Sequence, residues 1–157
     1  MRLARWLRRR LRRAGTGERG SAVVEFLGVA LLLLVPIVYL IITLGRVQAA
    51  TFAADGAARV AGRLIAQADT FEDGLAAAAL AVELAFDDQG MEVDGASALQ
   101  VTCQQDPCLS PGAYLHLQVA TDVPLPLTPP FLDEVLGTTV RVQAEAMTAV
   151  DDFRETS

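Results

Sequence analysis

Residues 19–44, RGSAVVEFLGVALLLLVPIVYLIITL, decide how the chain folds. From residue 26 to residue 44 there are 19 positions without a charge. As a helix that run extends about 28 Å, close to the hydrocarbon thickness of a bilayer. One membrane span is predicted. At its N-terminal edge, flanked by apolar residues on both sides, stands a carboxylate, Glu25. An ionised side chain near the middle of a membrane helix costs about 2.5–3.5 kcal/mol, and less near an interface. Two readings of Glu25 are open: it reaches the headgroups one turn away, or it is kept for a partner inside an assembly.

The rest of the composition fits a span with an appended domain. The chain has 157 residues, 52% of them hydrophobic, and a mean hydropathy of +0.36, high for a wholly soluble protein. Its formal net charge of -6 conceals an opposed distribution. Residues 1–19 hold eight of the 13 arginines against a single acid, Glu18, whereas 17 of the 19 acids lie beyond Leu44. The positive-inside rule keeps the arginine-rich end in the cytoplasm and exports the acidic part. Arginine clusters also serve as nucleic-acid tails, but one placed directly before a span reads as a topology signal, and no nucleic-acid partner is expected. Both cysteines, Cys103 and Cys108, fall in the exported part, where oxidising conditions let disulfides persist.

The apolar run is longer than the core of a secretory signal, and no small-residue cleavage site follows it. An anchor that stays attached is therefore expected. Cleavage on the other side of the span is suggested by Arg19-Gly20-Ser21-Ala22-Val23-Val24-Glu25-Phe26 ahead of an apolar helix. This segment resembles the processing site of type IV pilins and pseudopilins, in particular the TadE-like proteins of Tad/Flp pilus systems. The similarity continues through Leu44-Gly45-Arg46 and Ala57-Ala58-Arg59-Val60-Ala61-Gly62-Arg63, and covers residues 19–63. It is weaker in the C-terminal part, although Val150-Asp151-Asp152-Phe153-Arg154 also looks like actinobacterial members. The chain departs from the family pattern at Thr43 and Leu44, where an acid often precedes the Gly-Arg pair, and at Val60, where a glutamate is usual.

The resemblance implies a prepilin peptidase as one partner and other Tad/Flp pilus or pseudopilin subunits as the rest. The implied scissile bond joins Gly20 to Ser21, which makes Glu25 the fifth residue of the mature chain and Phe26 its neighbour. Cleavage would remove the arginines and create a charged amine on Ser21, to which the Glu25 of a neighbouring subunit could pair within an apolar filament. A buried pair of this kind is costly to break and acts as a register device more than a net stabiliser. The competing reading is an uncleaved single-pass protein whose acidic head binds a partner in the cell envelope.

Beyond the span, residues 51–66 lack proline and are rich in alanine, the best helix former, so the membrane helix is expected to continue. Small residues recur at helical spacing at Ala50, Ala53, Ala54, Ala57, Ala58, Ala61 and Gly62. That stripe suits close helix packing, either between subunits or on the protein's own domain. Asp55 and Arg59 form a favourable i,i+4 pair on a solvated face, and Pro36 should kink the span. Thr70 with Asp73 three residues on forms an approximate capping box for a second helix ending near Gly90, with Phe71, Leu75, Ala78, Val82 and Phe86 as its apolar stripe.

From Ala98 the period changes to two. Leu99, Val101 and Cys103, then Leu115, Leu117 and Val119, then Val140, Val142, Ala144 and Ala146 alternate with polar or exposed positions. Three half-buried antiparallel strands are predicted, covered on one face by the second helix. Pro124, Pro126, Pro129 and Pro130 place the connector between the last two strands at an edge or on the surface. The expected fold is α+β: a basic leader over residues 1–20, a transmembrane helix over 21–45, and a small pilin-like extracytoplasmic domain over 46–157.

Chemistry is sparsely provided for. CQQDPC, residues 103–108, is too widely spaced for a redox C-x-x-C, and zinc would need ligands that the chain hardly supplies, so a structural disulfide is expected. His116, the sole histidine, falls on the polar face of its strand with no serine or cysteine constellation tied to it. The acids come as adjacent pairs, Asp87-Asp88, Asp133-Glu134 and Asp151-Asp152, whereas carboxylate catalysis needs convergence in a cleft. No catalytic residue, metal or cofactor is expected, and no phosphate-binding glycine loop occurs.

Overall fold

Without a strong breaker between Ser21 and Gln67 apart from one proline, the N-terminal part forms a single helix, α1, Ser21–Gln67, of 47 residues. The helix carries on through Pro36. The structure, a computed structural model, describes residues 21–126 and 138–154. The chain divides into two compact units, residues 1–42 and 43–157. In the first, the described part of α1 exposes almost every side chain. An 18-residue window of mean hydropathy 2.8 has none of its residues buried inside the protein.

The second unit holds the remainder of α1, two further helices and a sheet. Helix α2, Phe71–Asp87, starts where Thr70, in extended backbone, accepts a hydrogen bond from the Asp73 amide at 3.1 Å and donates its hydroxyl to Asp73 Oδ2 at 2.7 Å. The helix stops in a tight turn in which Gly90, at φ +68°, donates to Asp87 O and Met91 to Phe86 O. A left-handed residue at this place is the ordinary way to satisfy the last helical carbonyls, and glycine adopts it without a side-chain clash. One turn of helix, α3, Gly95–Ala98, leads into the sheet. Strands β1, Leu99–Cys103, β2, Tyr114–Pro124, and β3, Thr139–Ala149, form one antiparallel sheet in the order β1-β2-β3. Leu99 pairs with Val119 and Cys103 with Leu115, while Tyr114 pairs with Ala149 and Pro124 with Thr139.

One face of the sheet is the core face. Leu99, Leu115, Leu117, Val119, Val123 and Val142 are buried with Ala78, Val82 and Phe86 of α2. The small-residue stripe of α1 joins them: Ala50, Ala53, Ala54, Ala57, Ala58, Ala61 and Ile65 are 0–8% exposed within the single chain. The stripe therefore packs on the protein's own domain. Short side chains there let helix and sheet approach closely, and at Gly62 the approach is tightest, since a Cβ would run into Thr148 Oγ1.

Two details differ from the sequence pattern. On α2 the buried line is Gly74, Ala78, Val82 and Phe86, with Phe71 partly buried and Leu75 37% exposed. Gly74 takes the place expected for Leu75 because α2 folds back tightly on α1: a Cβ there would lie 2.8 Å from Ile65 Cα. The proline run also begins inside β2, which ends at Pro124. Proline is tolerated there because β1 reaches only as far as Val119, so at Pro124 the ladder has a partner on the β3 side alone. Pro129 and Pro130 lie outside the described residues.

Candidate functional site

Helix α1 is described from Ser21 onward; Gly20, the other side of the expected scissile bond, and the arginine-rich leader lie outside the described residues. Glu25 is the fifth residue of α1 as described. It is exposed, and among the described residues it makes no hydrogen bond or ion pair. Phe26 beside it is 71% exposed. Along the following turns the large apolar side chains from Val23 to Ile42 are 44–73% exposed. Soluble monomers rarely expose an apolar surface of this extent. A helix this long and apolar is a candidate membrane span.

Beyond the span the outward face of α1 carries Phe52 at 76% and Val60 at 46% exposure, with Gly56 between them and open space around it. The Asp55–Arg59 ion pair, at 3.0 Å, flanks this face and is solvated as expected. Such an exposed pair contributes about 0.3–0.5 kcal/mol.

Cys103 and Cys108 form a disulfide with a Cα–Cα distance of 5.1 Å. It closes the turn after β1, which is also held by Gln104: its amide donates to Tyr114 O and its side-chain carbonyl accepts from the Tyr114 amide. His116 is exposed on the outer face of β2, level with Thr102 and Met147. Asp87 and Asp88 end α2, and Asp151 and Asp152 follow β3, all exposed; Asp133 and Glu134 lie outside the described residues. Among the described residues no group of three or more His, Cys, Asp or Glu side chains is placed to hold a metal ion.

One functional contact has no sequence signal. Helix α1 ends without a basic residue in its last turn, and Arg154 supplies the cation from the far end of the chain. Its guanidinium donates to the Ala66 carbonyl, one of those that helix geometry leaves unpaired in the last turn, and to the Ala68 and Asp69 carbonyls of the bend that follows. Neither known protein families nor curated proteins nor solved structures provide a match to this chain.

Proposed function

We propose that the chain is a structural subunit of the TadE-like type, a minor pilin or pseudopilin of a Tad/Flp pilus or secretion assembly. It is held in the cytoplasmic membrane by residues 21–45 with its N-terminus inside and its acidic domain outside, and it is not an enzyme. A prepilin peptidase hydrolyses the Gly20–Ser21 bond, removes the basic leader and leaves an ammonium group on Ser21. The observation that carries this reading is the position of Glu25, five residues past Gly20 on an apolar helix that exposes its side chains and has no partner for them among the described residues.

Inside a bundle of such helices the carboxylate and the new amine of a neighbouring subunit neutralise each other. Breaking a buried pair of this kind by deleting one partner costs about 3–5 kcal/mol, because a bare charge is left in low dielectric. Phe26 presents an aromatic surface beside the pair. N-terminal sequencing of membrane-extracted protein from cells with the peptidase is expected to begin at Ser21. An intact leader under those conditions would instead support an uncleaved single-pass protein with a binding head. Replacing Gly20 by a bulkier residue should block processing, whereas Glu25→Ala should be processed and then fail to assemble.

A further inference from the structure

In the second unit, a pocket of about 400 Å³ is lined by Arg46, Met91, Glu92, Val93, Asp122 and Pro124, among others. That volume lies within the range of about 300–1,000 Å³ usual for small-molecule sites. Arg46 is unusual among the described arginines with buried atoms. Arg154 spends its donors on three carbonyls, but Arg46 makes no hydrogen bond or ion pair among the described residues, and its Nε is buried without a partner. One turn earlier on the same helix, Thr43 Oγ1 is also buried and unpartnered. Buried polar atoms in folded proteins are satisfied with few exceptions, so Arg46, which lines the pocket, marks a place where a group beyond the described residues supplies acceptors to its guanidinium.

Position and charge narrow what that is. Arg46 stands two residues beyond Leu44, about 3 Å farther along the helix axis. The headgroup layers on either side of a bilayer core are about 5–7 Å deep, so the guanidinium falls at headgroup level. A phosphate is the acceptor available there, and a guanidinium fork matches its oxygens. Glu92 and Asp122, both exposed, line the same pocket and disfavour a lipid that is only anionic, whereas a headgroup suits them if it also carries a cation that donates hydrogen bonds. A primary ammonium does so; a trimethylammonium has no N–H to give.

We propose that this pocket is a headgroup site for a phosphate bearing a primary amine, as in phosphatidylethanolamine, with the phosphate on Arg46 and the ammonium between Glu92 and Asp122. The lipid source rests on the membrane placement argued above; the same chemistry occurs in free phosphoethanolamine. The test uses the full chain in bilayer discs holding equal amounts of phosphatidylethanolamine, phosphatidylcholine and phosphatidylglycerol, and native mass spectrometry of the lipid kept after detergent extraction. Phosphatidylethanolamine should be retained preferentially, and Arg46→Gln should lower its retention about tenfold, the loss expected of a charge-assisted hydrogen bond. The double variant Glu92→Gln with Asp122→Asn should lose the preference over phosphatidylcholine and retain more phosphatidylglycerol.

Free O-phosphoethanolamine added to the discs should displace the retained lipid, and inorganic phosphate should do so less well. Equal retention of the three lipids by the parent chain, or unchanged retention in Arg46→Gln, overturns the proposal. Alkaline carbonate extraction separates the two readings. A chain that resists extraction yet shows no lipid preference overturns the pocket assignment alone, whereas one that washes off overturns the membrane placement and the lipid site together.

Discussion

Three glycines of the helices stand in opposite packing environments, and the difference sets the sign of a substitution. Gly56 on α1 has nothing within 4 Å of an added Cβ, so alanine there gains helix propensity and should raise stability by about 1 kcal/mol. Gly74 on α2 would place its Cβ 2.8 Å from the Ile65 backbone, and Gly62 would meet Thr148. Gly74→Ala should therefore destabilise the domain by about 1–3 kcal/mol despite the better helix former, because a backbone atom cannot move aside cheaply. Thermal unfolding of the two alanine variants in the same detergent checks the pair, and shifts of one sign would contradict the packing. Phe86, the largest fully buried side chain among the described residues, closes the core between α2 and the sheet; Phe86→Ala should cost about 3–5 kcal/mol in the same measurement. Cys103 and Cys108 were placed by the sequence at a strand end in an oxidising compartment, and the disulfide closes a loop with a sequence separation of 5. Replacing both by serine should lower stability by about 2 kcal/mol in a chain-entropy model, with reductant leaving the variant's melting temperature unchanged.

Among the elements, α1 joins two halves of different surface. Its first half, past Glu25, is apolar all round, while its second half is sorted into an alanine face against the sheet and a charged face with Asp55, Arg59 and Arg63. The period of the alanines was legible from the sequence; which surface they meet was not, since an alanine stripe fits a neighbouring subunit and the chain's own sheet equally well. The strands were legible for a different reason. Alternation over β1, β2 and β3 survives because only one face of the sheet is buried, and the polar residues keep to the other face apart from Thr121 and Thr148. The C-terminal end of α1 was hidden, because Arg154 lies more than 80 positions from the carbonyls it caps. Arg154→Ala should cost about 1–2 kcal/mol and open the last turn of α1, measured as faster amide exchange of the turn and loop it closes. Arg154→Lys should recover only part of this, since a single ammonium lacks the planar fork of donors that reaches three carbonyls.

At the scale of the whole molecule the charge distribution carries the prediction. With the proposed membrane placement, the eight arginines before the apolar run are the orienting signal of the positive-inside rule, and the 17 acids follow on the other side. A reporter that works only outside the cytoplasm should be active when fused after Ser157, and replacing Arg8, Arg9, Arg10, Arg12 and Arg13 by glutamine should lower its activity severalfold; equal activity would remove the topology argument. The sequence by itself determined the uncharged run, the charge asymmetry, the capped second helix, the three alternating strands and the cysteine pair, because each is written in local spacing or composition. Only the tertiary structure decided that the alanine stripe packs inward, that Gly74 and not Leu75 faces α1, that Arg154 seals a helix it is remote from, and that Arg46 shares a pocket with Glu92 and Asp122. These are contacts between segments far apart in the chain, and local periodicity fixes which face of an element is apolar without fixing what that face will meet.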